Sequence, residues 1–108
     1  MVNEKLISSK IICQFLNEMK NHIMAKRIIL FGSYARGQQN EWSDIDLAVI
    51  SDGFKGVDYL DRLVMLGKIA WQAKTTVIEA IGFTEEEYEY ASELDFLGEI
   101  KKNGVVIF

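Results

Sequence analysis

Apolar residues recur along the chain with two different periods, and the switch between them marks the elements. Leu6, Ile7, Ile11, Ile12, Phe15, Leu16, Met19 and Ile23 stand three or four positions apart, which predicts an amphipathic helix from Glu4 to about His22 with one face on a sheet. Arg27-Ile-Ile-Leu-Phe31 is a short β-branched and aromatic run that stops at Gly32-Ser33, the pattern of a buried strand entering a tight turn. Ser33 or its neighbour is placed to cap a short helix reaching Gly37. After the polar loop from Gln38 to Ser43, Asp44-Ile-Asp-Leu-Ala-Val-Ile50 alternates and then becomes wholly apolar, predicting a second strand that runs into the core.

The second half repeats the logic. Leu60, Leu63, Val64, Leu66, Ile69, Ala70 and Trp71 predict a helix from Val57 to about Ala73 with a broad apolar arc, within which Gly67 costs some helix stability. Thr75-Thr-Val-Ile-Glu-Ala-Ile81 reads as a third strand. Thr84 with Glu87 forms a capping box for an acidic helix running to about Ser92. Phe96 to Lys102 predicts one or two more helical turns with Gly104 beyond them, and Val105 to Phe108 a terminal strand or docked tail. The order α-β-(α)-β-α-β-α predicts an α/β (α+β) fold: a mixed sheet of three strands, or four with the tail, with helices mainly on one face.

Composition narrows the function. The 108 residues, 49% of them hydrophobic, predict one domain over 1–108, with no second substrate-binding domain expected. Sixteen acids against twelve bases give a net charge of -4, and the bases form no stripe along a phosphate backbone, so no direct nucleic-acid binding is expected. The lone Cys13, in the helical apolar pattern, reads as a core thiol and excludes disulfides and thiolate metal clusters. The start has no signal-peptide layout and no apolar run approaches the roughly 20 residues of a membrane span. The expected location is the cytoplasm, with no membrane contact.

The chemistry concentrates in acids near strand ends. Asp44 and Asp46, two apart on a strand, point to the same face, separated by roughly 7 Å along the chain. Such carboxylates repel each other, and a hard cation such as magnesium or manganese keeps both ionised. Gly32-Ser33 lets backbone amides and a hydroxyl come close to phosphate oxygens, and Arg36 one turn on can add a charge-assisted contact. Glu79 is an acid inside an apolar strand, where it needs a partner or a metal and can complete a carboxylate triad.

Gly32-Ser33 followed after ten residues by Asp44-Ile45-Asp46 resembles the signature of the polymerase-beta-like nucleotidyltransferase superfamily. Phe31-Gly-Ser-Tyr-Ala-Arg-Gly37 with Ser43-Asp-Ile-Asp-Leu47 is similar to its minimal (MNT) branch, and Ile78-Glu-Ala-Ile-Gly-Phe-Thr-Glu-Glu-Glu-Tyr88 to that branch's third-strand segment. The resemblance implies a nucleotidyltransferase fold and transfer of a nucleotidyl group, AMP from ATP above all, with release of pyrophosphate. Two magnesium ions, with manganese as substitute, would sit on Asp44, Asp46 and Glu79, while Gly32, Ser33 and Arg36 hold the triphosphate. Glu79 stands where an aspartate is usual. The MNT resemblance further implies a HEPN-domain protein as partner, as in toxin-antitoxin pairs, with a protein hydroxyl as acceptor. A non-catalytic antitoxin that neutralises a HEPN partner by contact is the alternative, and homodimerisation stays open.

Other notable residues have plainer readings. His22 suits the end of a helix dipole, Tyr34 suits packing, and Glu85, Glu86, Glu87 and Glu89 suit a solvated face. Trp42, an aromatic in a polar loop, has three equal readings: covering a nucleotide, packing locally or meeting a partner.

Overall fold

The computed structural model describes residues 4–39 and 44–108, with side chains from residue 9 onward. Trp42, and the Ser43 that opens the acidic motif, lie outside the described residues. Helix α1 spans Glu4–Met19 and is followed by strand β1, Arg27–Phe31, and the single turn α2, Gly32–Ala35. Strand β2, Ile45–Ile50, leads through a short 3₁₀ turn to helix α3, Tyr59–Gln72, and strand β3, Ile78–Phe83. Helices α4, Glu85–Glu89, and α5, Phe96–Asn103, precede the two-residue strand β4, Val105–Val106.

The four strands lie in the order β3-β2-β1-β4. β1 runs antiparallel to both β2 and β4, whereas β2 and β3 are parallel. A parallel neighbour requires a crossover, and α3 supplies it. The terminal segment is therefore a strand: beyond β4, Ile107 donates to the Ile28 carbonyl at 2.9 Å and the Phe108 carbonyl accepts from the Ile28 amide at 3.3 Å.

Strand alternation sorts the core into two layers. Ile28, Ile45, Leu47, Val49 and Ile78 pack with Phe15, Met19, Leu66 and Ile69 under α1 and α3. Ile29, Ala48 and Ile50 face the other way, onto Tyr88 and Ile100 from the shorter α4 and α5. The two longer helices thus cover one face, and the other is only partly covered, leaving its far end open.

Several expectations shift in detail. Strand β3 begins at Ile78 because Lys74 takes a left-handed φ of 61° and Thr75 turns back, its amide and hydroxyl both donating to the Ala70 carbonyl. Cys13 is exposed, since α1 turns Phe15 and Met19 inward instead. The buried arc of α3 is Arg62, Leu66, Ile69 and Ala70, whereas Leu60 and Trp71, expected inside, are 72% and 74% exposed.

Arg62 is buried because its charge is paired and three of its five N–H donors are bonded. It donates to Glu87 at 2.6 Å, to the Val57 carbonyl at 2.8 Å and to the Gly82 carbonyl at 3.3 Å, and its guanidinium lies 5.7 Å from the centre of the Phe54 ring. Glu87 is thus not simply a solvated acid. It also accepts from the Thr84 amide at 2.7 Å while the Thr84 hydroxyl accepts from the Glu87 amide, so the expected capping box is formed.

Candidate functional site

The open end of the second sheet face is built by three strand termini. β1 ends at Phe31 opposite Asp46 of β2, and Asp46 stands in register with Glu79 of β3. Paired residues on neighbouring strands point to the same face, so the two carboxyls lie side by side. Asp44 precedes β2 by one residue and is exposed, on the same side as Asp46 by strand alternation. Glu79 sits near the start of β3 rather than in its middle, because the strand begins later than its β-branched run.

Partial burial, then the charges of Glu79 and Asp44, then a hydrogen bond shared with Glu79 push the Asp46 carboxyl above its ordinary range. The positive charge of Arg36 acts in the opposite sense, so this side chain is near enough for Asp46 to feel it. Among the described residues, no three acidic, histidine or cysteine side chains close into a ready chelate. Asp46 and Glu79 form a pair, and Asp44 joins them at the distance of an electrostatic neighbour. The donor set is nonetheless hard carboxylate oxygen, which fits magnesium or manganese.

Gly32 is required twice over. Its φ of 73° is left-handed, and a Cβ there would run into the Asp46 carboxylate. The turn and the acid are therefore built against each other. Phe31 occupies the N-cap of α2 and no side chain caps that turn, so Ser33 is its second residue and not its cap as expected. Tyr34 packs against the core under α1 and α3. His22 pairs with Glu18 at 3.0 Å, far from the acids in the fold.

Two clefts flank this centre. One, of about 380 Å³, is lined by Asp46, Glu79, Ala80, and by Leu63 and Gly67 from α3. The other, of about 400 Å³, lies between α2 and α5, with Gly32, Ala35 and Arg36 on one wall and Glu99 and Asn103 on the other. Phe31 and Phe96 border both, their rings edge to face at 5.7 Å and 86°. The contribution of α5 was not visible in the sequence, because Phe96, Glu99 and Asn103 reach the site only through tertiary packing. No described helix is long and apolar enough to cross a membrane.

Comparison with known proteins agrees with this architecture. Residues 12–105 match the nucleotidyltransferase domain family. A Methanocaldococcus jannaschii protein named "putative protein adenylyltransferase" is 35% identical over 101 residues, covering 92% of this chain and 96% of that protein. A second protein of that name and organism is 49% identical over 43 residues, 40% of this chain and 48% of its own length. Among solved structures, a "putative nucleotidyltransferase" from Sulfolobus solfataricus superposes with a TM-score of 0.68 at 22% identity, over 92% of this chain and 78% of that one. A toxin-antitoxin crystal structure with AMP-PNP gives 0.60 at 23%, over 89% and 71%. The last two likenesses speak to the fold. With the glycine-serine turn set against an Asp-x-Asp strand and a match running over almost the whole length, the chain belongs to the nucleotidyltransferase domain family.

Proposed function

We propose that the protein transfers AMP from ATP to a hydroxyl of a partner protein, a HEPN-domain toxin, and releases pyrophosphate. The observation that carries this reading is the register pairing of Asp46 with Glu79 beside Gly32, which gathers two acids and a glycine turn at one sheet end. Asp44, Asp46 and Glu79 would hold two magnesium ions, or manganese in their place. Such ions, when bound, neutralise the triphosphate and lower the proton affinity of an attacking hydroxyl.

The chain's own residues then have separable tasks. Gly32 and Ser33 present backbone amides and a hydroxyl to the β- and γ-phosphates, and Arg36 adds positive charge there. Glu79, bordering the cleft on the α3 side, accepts the proton of the acceptor hydroxyl. The hydroxyl oxygen bonds to the α-phosphorus, the bond to the bridging oxygen of the β-phosphate breaks, and pyrophosphate departs toward Gly32 and Ser33. Glutamate at 79 supplies the same carboxylate as aspartate with a longer reach.

A protein acceptor also suits the surface beside that cleft. Leu60, Val64, Gly67 and Trp71 share one exposed stripe of α3, and Gly67 and Leu63 carry it to the acids. The names of the Methanocaldococcus relatives and the toxin-antitoxin neighbour with AMP-PNP support the choice of AMP and of a protein acceptor.

The test is incubation with magnesium and ATP labelled at the α-phosphate, together with the product of the neighbouring gene, followed by mass spectrometry of both chains. The expected result is one or more AMP adducts on the partner, lost when both Asp44 and Asp46 are alanine. Neutralisation of the partner by the double variant, with no adduct on it, would instead establish the contact-only antitoxin.

A further inference from the structure

The cleft between α2 and α5 has walls that the phosphate and acid chemistry does not use. Phe96 is 59% exposed, although it already touches Phe31 edge to face, so much of a flat aromatic ring is open to a ligand. Both clefts share this ring, which places it beside the point where an α-phosphate would meet Asp46. On the same helix Asn103 donates from Nδ2 to Glu99 Oε1 at 2.7 Å, and both line the cleft. That bond orients the amide and leaves it one N–H and one carbonyl oxygen.

The geometry points to an adenine subsite in this cleft: the base stacks on Phe96 and its edge is read by Asn103. The inference rests on the nucleotide binding proposed above and adds the residues that select the base. A single amide with one donor and one acceptor matches an adenine edge, which offers an N6–H donor beside a ring-nitrogen acceptor. Guanine placed the same way presents two acceptors, O6 and N7, on one edge, and on the other an O6 acceptor beside an N1–H donor, the reverse of adenine's order, so an amide that Glu99 holds in one orientation meets like against like. Aromatic stacking accepts any base, so Phe96 contributes affinity and Asn103 contributes choice. The volume, about 400 Å³, falls in the lower part of the range of small-molecule sites and is enough for a nucleoside.

The test is calorimetric titration of the purified protein with ATP, GTP and inorganic tripolyphosphate, each with magnesium. Wild type is expected to bind ATP roughly tenfold more tightly than either tripolyphosphate or GTP. Phe96→Leu, which keeps an apolar contact with Phe31, should reduce ATP affinity roughly tenfold to the tripolyphosphate level while leaving tripolyphosphate binding and the melting temperature in place. Asn103→Leu should equalise ATP and GTP without altering tripolyphosphate. Unchanged ATP affinity and unchanged preference in both variants would overturn the subsite while leaving the transferase reading intact. If wild type binds neither ATP nor tripolyphosphate, nucleotide binding itself fails and the subsite fails with it.

Discussion

The two ends of β3 hold carboxylates that do opposite things to the fold. Just beyond its C-terminal end, Glu87 closes a helix cap and grips the buried Arg62, which also takes the Gly82 carbonyl of the strand itself. At its N-terminal end, Glu79 is set against Asp46, and the charge of Arg36 offsets part of the repulsion. Partial burial pulls the Glu87 carboxyl upward, but the Arg62 hydrogen bond, the Thr84 amide and the Arg62 charge outweigh it and leave it below its ordinary value. Asp46 moves the other way. One end of the strand is built to hold the molecule together, and the other keeps like charges close at a cost in stability, the usual mark of a ligand site.

The sharpest break of this contrast is Asp46→Asn. Transfer to a partner should fall about 10³-fold, several kcal/mol of lost charge stabilisation, in single-turnover assays with labelled ATP. The same substitution should raise the melting temperature at pH 7 by about 2–4 °C, since about 0.5 kcal/mol of repulsion and desolvation is relieved. A fall in both quantities would mean that the acid pair is structural.

At the opposite end, Arg62→Met should cost about 2 kcal/mol and lower the melting temperature by about 10 °C, less than for a wholly buried pair because Glu87 is partly exposed. Magnesium-dependent ATP binding by the folded variant should be unchanged in calorimetry. Gly32→Ala joins the two effects, because the left-handed φ costs about 1–2 kcal/mol and the new methyl displaces the Asp46 carboxyl. Denaturant unfolding and ATP titration should both register it.

The smallest effect is in pH. Folded Asp46 holds its proton more tightly than the unfolded chain, whose value is near 3.8, so its ionisation lowers stability as pH rises above that value. Folded Glu87 holds its proton less tightly than the unfolded chain, near 4.5, so its contribution is present above that pH and is lost as pH falls through the lower folded value. Melting temperatures across pH 3–7 should show Asp46→Asn above wild type and Glu87→Gln below it, with both gaps of about 0.5–1 kcal/mol at neutral pH closing in acid.

Much of this contrast was legible in the chain. Asp44 and Asp46 announce their shared face through strand alternation, and Gly32-Ser33 at ten residues' distance announces the turn. What stayed hidden was set by tertiary neighbours. Arg62 interrupts an apolar arc, and nothing local shows that Glu87, Gly82 and Val57 surround it. Helix α3 is apolar on two sides, so periodicity could not say that Leu60 and Trp71 lie outside while Leu66 and Ile69 lie inside. Thr75 and Thr76 have strand propensity, but the turn at Lys74 uses Thr75 to close the helix, and β3 starts three residues late. Phe96 and Asn103 became candidates only once α5 was seen against the open sheet face.

Asp46 and Glu79 are adjacent only because α3 carries the chain back to lay β3 parallel to β2. Closing that long excursion is among the slower and costlier events in assembling such a sheet, since loop entropy is lost before the strands gain their pairing. A nascent or damaged chain that has joined only its antiparallel hairpin therefore presents one acid of the pair without the other. Under the proposed function, competence to grip a nucleotide arrives together with the completed fold, and a molecule unable to finish folding is also unable to act on its target.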